Sequence, residues 1–196
     1  MELRQQVEQV WLRIHSWLQT NAPAVLSSLR SGASETDISL TEQVLGSKLT
    51  DDLRYSFQLH DGQTVDEYGG TLGLIDAQEL LSLEGVVDCW KMWTEAAARG
   101  DFTSTTAQSD DAIRNEWWNS LWIPLTYGVH GSYCLDLSPT HRGVKGQIIS
   151  VWRDDPHRRV VASSFVQWLD KYTSRLEAGE YVLSDDIGGL VPVDEA

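Results

Sequence analysis

Several things are scarce in this 196-residue chain, and each scarcity narrows what it can be. It has two cysteines, Cys89 and Cys134, both in apolar settings (VVDCWKMW and SYCLDL). Two thiols so far apart provide neither a disulfide framework nor zinc-ligand spacing, and buried reduced thiols are expected. No run of about 18 apolar residues occurs, so no membrane-crossing helix is expected. The N-terminal MELRQQVEQVWLRIHSWL carries charges throughout, without a cationic leader, apolar stretch or cleavage site, which points to a cytoplasmic protein. Cations are few: 15 Lys and Arg stand against 29 Asp and Glu, for a net charge of −14. The deficit is spread along the chain, −8 over residues 1–100 and −6 over residues 101–196. Such a chain repels phosphate backbones, which disfavours direct nucleic-acid binding, and attracts a basic protein partner; surface acids also simply keep proteins soluble. The motifs of common catalytic sites are missing as well. There is no G-x-S-x-G elbow, no G-x-x-x-x-G-K loop, no H-E-x-x-H and no C-x-x-C pair. No enzyme, cofactor or metal site is expected.

What is present is concentrated between Trp117 and Trp168. Three short runs rich in β-branched and aromatic residues, Leu121 to Tyr127, Ser132 to Leu137 and Gln147 to Trp152, lie between glycine- and proline-bearing breaks. They read as strands. After Val160–Val161 the period becomes helical: Phe165, Leu169, Tyr172 and Leu176 recur at three- and four-residue spacing, with Ser163 or Ser164 placed to cap the first turn. The expectation is an antiparallel meander with a helix across one face.

Upstream, Leu3, Val7, Val10, Trp11, Ile14 and Leu18 form an amphipathic stripe, predicting a helix over residues 2–20 packed on the rest. Residues 24–34 are either a polar-tailed connection or a short helix, and Leu40 to Leu45 one or two helical turns. A better helix starts at Thr50–Asp51–Asp52 and stops at His60–Asp61–Gly62. Thr71–Leu72 reads as a minimal strand within a glycine-rich loop. Asp76 is placed to cap a helix with Leu80 and Leu81 inward. Glu84 to Ala98 reads as a further helix, with Val87, Trp90, Met92 and Trp93 as candidates for its buried side. Residues 99–111 are expected to be an exposed, mobile loop. Tyr181 to Leu183 is a candidate strand before a frayed end.

Candidate chemistry is sparse. Asp154–Asp155–Pro156–His157 is the nearest approach to a metal cluster, but adjacent carboxylates on a turn do not converge on one ion, and a solvated turn is the better reading. His60–Asp61 is better explained as a helix stop than as an acid–base pair. Trp117, Trp118 and Trp122 fall within six residues, so one of the adjacent pair is expected to be partly exposed or to cover the sheet edge.

The ordered set H-D-G, GLIDAQEL, N-x-x-W-I-P-L-T, Y-x-C-L-D-L-x-P, G-x-x-G-Q-I-I and D-D-P-x-R-R-V-V-A-x-S-F-x-x-W-L resembles the SMI1/KNR4 family of the SUKH superfamily, over roughly Leu49 to Leu176. The matching positions include His60–Asp61–Gly62, Trp122, Pro124, Tyr133, Asp136, Gln147, Asp154 and Phe165; the turn Tyr127–Gly131 departs from the pattern. The resemblance implies a single α+β domain over residues 1–196, with a mixed, mainly antiparallel sheet backed by helices. It implies no enzymatic activity and two kinds of role. One is a bacterial immunity protein that binds and neutralises a cognate toxin, a nuclease or deaminase with a basic surface. The alternative is an intracellular regulator or scaffold of cell-wall synthesis or signalling, acting through protein contacts. The compact length and strong acidity favour the first, with Asp61, Asp66, Glu67, Tyr68, Trp118, Asp154 and Asp155 as the expected partner-binding residues.

Overall fold

The computed structural model describes residues 2–66 and 70–196. Its centre is a five-stranded sheet of order β2-β7-β6-β5-β3, formed by β2 (Gln108–Ser109), β3 (Trp122–Pro124), β5 (Gly131–Asp136), β6 (Gln147–Trp152) and β7 (His157–Ala162). All neighbours are antiparallel except β2 and β7. Two short ladders flank it: β1 (Glu79–Leu80) with β4 (Thr126–Tyr127), and β8 (Tyr181–Ser184) with β9 (Gly189–Pro192). This is an α+β fold with a mixed, mainly antiparallel sheet.

The described residues form six α-helices, α1 (Leu3–Asn21), α2 (Pro23–Ser28), α3 (Glu35–Leu45), α4 (Asp51–Leu59), α5 (Leu83–Arg99) and α6 (Phe165–Glu177), of which α5 and α6 pack on the sheet and carry the others. Neighbouring residues on a strand point to opposite faces, and β5 shows what lies on each. The Tyr133 ring meets Trp168 of α6 at 5.4 Å, while the Ser132 hydroxyl lies 3.9 Å from Cys89 Sγ of α5. Helices therefore cover both faces, not one. This explains why β5 and β6 are buried nearly throughout instead of alternating.

The sequence stripe of α1 holds except at Leu3, which is exposed: Val7, Val10, Trp11, Ile14 and Leu18 are buried, and the Trp11 indole donates to Ser56 Oγ of α4 at 2.9 Å. Helix α3 starts earlier than the apolar pattern suggests because Ser34 and Asp37 form a capping box, and Gly46 ends it at φ 66°. Buried Asp52 on α4 accepts from the Val166 N–H at 3.0 Å, so it caps α6 across the core together with Ser164.

Three expectations fail for physical reasons. Asp76 caps no helix. Asp76 and Ala77 take φ 50° and 55° in a tight turn closed by Ile75 and Gln78, and the chain goes on as β1. Thr71–Leu72 is not a strand; the Leu72 carbonyl instead accepts from buried Gln63 at 2.8 Å. The C-terminal end is not frayed, because β9 pairs with β8 and buries Leu190 and Val191. Its Leu190 also exchanges backbone hydrogen bonds with Gly73 and Ala77. The 99–111 segment contributes β2, a parallel edge strand that its polar composition does not announce.

Candidate protein-interaction cleft

Helix α5 is the element on which the candidate site is built. Its N-terminus is satisfied twice: Ser82 Oγ accepts from Gly85 N, and Asp61 Oδ1 from Leu83 N at 2.8 Å. Gly100, at φ 83°, ends it. Leu83, Val86, Cys89 and Trp93 are its buried residues. Met92, expected on that side, is instead 40% exposed. It sits in line with Glu84, Asp88 and Ala96 at four-residue spacing, which places all four along one face.

Two depressions meet on this face at Met92. The first, of about 490 Å³, runs between α5, the 63–65 segment and the β1–β4 ladder, and its lining carries Glu79, Glu84 and Asp88 against one cation, Arg30. That cation already pairs with Asp61 at 3.2 Å. Burial raises the Glu79 carboxyl above its ordinary value, as expected of an acid with no ion pair among the described residues. The second, a groove of about 200 Å³, is formed by Met92, Trp93, Ala96, Phe102, Trp117 and Arg153. The Arg153 guanidinium lies over the Tyr127 and Trp93 rings, 5.6 and 6.0 Å from their centroids. Among the described residues no carboxylate pairs with it. Cys89 also lines the first cleft, but burial pushes its thiol up to about 11, so it is protonated at neutral pH and a poor nucleophile.

The residues expected to bind a partner do not converge. Asp61 is tied down, capping α5 and pairing with Arg30. Asp66 accepts from the Gly70 N–H at 2.8 Å, closing its own loop; Glu67 and Tyr68 lie outside the described residues. Trp118 is not an exposed anchor. It is buried and stacked on Trp93 at 5.2 Å, and the half-exposed member of the pair is Trp117. Asp154 and Asp155 line a separate hollow of about 380 Å³ with Gln78, His130 and Trp152. Hydrogen bonds from the His157 backbone and ring hold Asp155 below the usual carboxylate range. Among the described residues no three His, Cys, Asp or Glu side chains are grouped to hold a metal. His60 and Asp61 turn to different elements: the His60 ring packs 4.7 Å from both Trp11 and His15. Sequence reasoning missed Glu79, Glu84, Asp88, Met92 and Arg153. The available signal was the four-residue spacing of Glu84, Asp88 and Met92, which marks one face of a helix as acidic and then apolar.

Buried Arg158 steadies the groove from below. Its guanidinium lies 4.7 Å from the Trp117 ring and donates to the Trp117 carbonyl at 2.9 Å and the Asp155 carbonyl at 2.6 Å. Burial lowers its pKa to about 10, which still leaves it charged at neutral pH.

Comparison with known proteins adds the following. Residues 32–171 match the SMI1/KNR4 family (SUKH-1), a match that begins before α3 and not at Leu49. The chain is 27% identical to a glucan synthesis regulatory protein of Neurospora crassa, over 92% of this chain and 40% of that protein. It is 27% identical to the cell wall biosynthesis/cell cycle regulator smi1 of Schizosaccharomyces pombe, over 94% of this chain and 39% of that one. It is 22% identical to F-box only protein 3 of Mus musculus, over 92% and 36%. The chain thus spans about two-fifths of the length of these relatives. These likenesses overturn the toxin-immunity expectation. Compactness and acidity had favoured it, but the fungal relatives are named as regulators of glucan synthesis and cell-wall biosynthesis, and acidity by itself does not distinguish a toxin from any other basic partner.

Proposed function

The chain belongs to the SMI1/KNR4 family, and from that premise we propose that it is a non-catalytic, intracellular regulatory module of the cell-wall-regulator type, acting by protein contacts made along the exposed face of α5. The observation that carries this reading is the junction of an acidic cleft with a groove of Met, Phe and Trp around Arg153, which has no carboxylate partner among the described residues. Aromatic residues, Met and Arg are enriched where proteins bind one another. Support for a non-catalytic role comes from the relatives' names as regulators. No helix among the described residues is long and apolar enough to cross a membrane.

A graft tests the reading. This chain replaces the matching region of the Schizosaccharomyces pombe relative, and growth under cell-wall stress is scored. Restored growth with the native chain, lost with Met92→Asp, supports a regulatory module working through this face. A folded, expressed chimera that restores nothing overturns it.

A further inference from the structure

Glu84, Asp88, Met92 and Ala96 succeed one another along a single face of α5, and the two depressions they line differ in chemistry. At 1.5 Å per residue, the stripe from Glu84 to Ala96 is about 18 Å long. An extended peptide advances about 3.3 Å per residue, so five or six residues cover it. The N-terminal half of the stripe faces Glu79 and holds the acids. The C-terminal half opens between Met92, Phe102 and Trp117, where an apolar side chain can be enclosed.

We propose that the α5 face binds an extended peptide segment of a partner protein lying along the helix, with a lysine or arginine in the acidic cleft of Glu79, Glu84 and Asp88 and a large apolar side chain in the Met92–Phe102–Trp117 groove. This rests on the protein-contact reading above and adds the chemistry and polarity of the partner. Charge selects the occupant. A second copy of this chain carries −14 itself, and a nucleic acid is a polyanion, so both are repelled from the cleft. A basic segment is attracted: Arg30 is engaged by Asp61, and among the described residues no cation is ion-paired to Glu79, Glu84 or Asp88. Arg153, between the two depressions and free of any carboxylate among the described residues, has donors left for a backbone carbonyl of the same segment.

The probe is a displayed library of random peptides, each about ten residues and long enough to span the stripe, panned against the intact chain. Enriched peptides are resynthesised and their affinities measured by fluorescence anisotropy. The expected result is a basic residue separated from an aromatic or large aliphatic one by about three to five positions. Affinity should fall about tenfold or more for Asp88→Lys and for Met92→Asp, and rising salt should weaken the charged end. Both positions are exposed, and circular dichroism checks that the variants stay folded. Absence of enrichment, enrichment without this order, or affinities unchanged by both substitutions overturns the proposal. The graft experiment is read separately. Growth restored by a chimera whose peptides ignore Asp88 and Met92 removes the peptide assignment and leaves the regulatory reading in place.

Discussion

At the scale of single residues, the acids of this chain divide into those that hold the fold and those left for solvent or a partner. Asp61 belongs to the first group. Losing its acceptor from the first turn of α5, Asp61→Ala should destabilise the chain by about 1–2 kcal/mol, measured as a shift of the urea midpoint. Glu42 is a second case, with its side chain 1% exposed. Burial alone would raise its carboxyl, but hydrogen bonds from Lys48, Arg54 and the Leu49 N–H outweigh that and hold it below its ordinary 4.5. A depressed carboxylate contributes stability that is present above the unfolded value and is lost as pH falls through the folded one. Native stability should therefore drop as pH falls below about 4.5. Glu42→Gln should be less stable at neutral pH and lose less on acidification, which urea titrations at stepped pH would register. None of this was visible in the sequence, where Asp61 read as a partner-binding acid. The reason is that the Leu83 N–H and Arg30 come from other parts of the chain.

At the scale of elements, the 73–78 turn joins parts that the chain order keeps far apart. Asp76 accepts hydroxyl hydrogens from Tyr133 of β5, at 2.6 Å, and from Tyr181 of β8. The Tyr172 hydroxyl of α6 donates to the Leu74 carbonyl. Gly73 is needed because a Cβ there would stand 2.2 Å from the Ala77 backbone. Gly73→Ala should cost about 1–3 kcal/mol. Ala77, by contrast, sits at φ 55° without a glycine's freedom. Ala77→Gly should stabilise by about 0.5–1 kcal/mol, because relief of the left-handed strain exceeds the entropy a glycine adds to the unfolded chain. Thermal unfolding of both variants tests the pair. The sequence GLIDAQEL was misread here as a helix start. Asp before an apolar stretch is a sound cap signal, but long-range hydrogen bonds from two tyrosines, Tyr133 and Tyr181, outweigh local propensity.

At the scale of the whole molecule, the charge of −14 acts on the fold as well as on partners. Self-repulsion is screened by salt, so raising NaCl from about 0.02 to about 0.5 M should raise the melting temperature by about 2–4 °C for a gain near 1 kcal/mol. Scanning calorimetry at several ionic strengths checks this. What the chain alone determined was everything carried by periodicity and local chemistry. That covers most of the α1 stripe, the strand runs Ser132 to Leu137 and Gln147 to Trp152, the apolar face of α6, the buried thiols and the ordered motifs of the family, whereas the run Leu121 to Tyr127, expected as one strand, divides into β3 and β4 in separate sheets. These depend on neighbours a few residues away, which a linear reading contains. Only the tertiary structure decided the rest: that α5 covers the second face of the sheet, that β9 is pinned to Gly73 and Ala77, and that Trp118 is buried while Met92 faces outward. Which way a tryptophan or an aspartate turns depends on atoms from distant segments, and the acidic cleft beside the aromatic groove exists only once α5, the β1–β4 ladder and the β6–β7 turn are packed together.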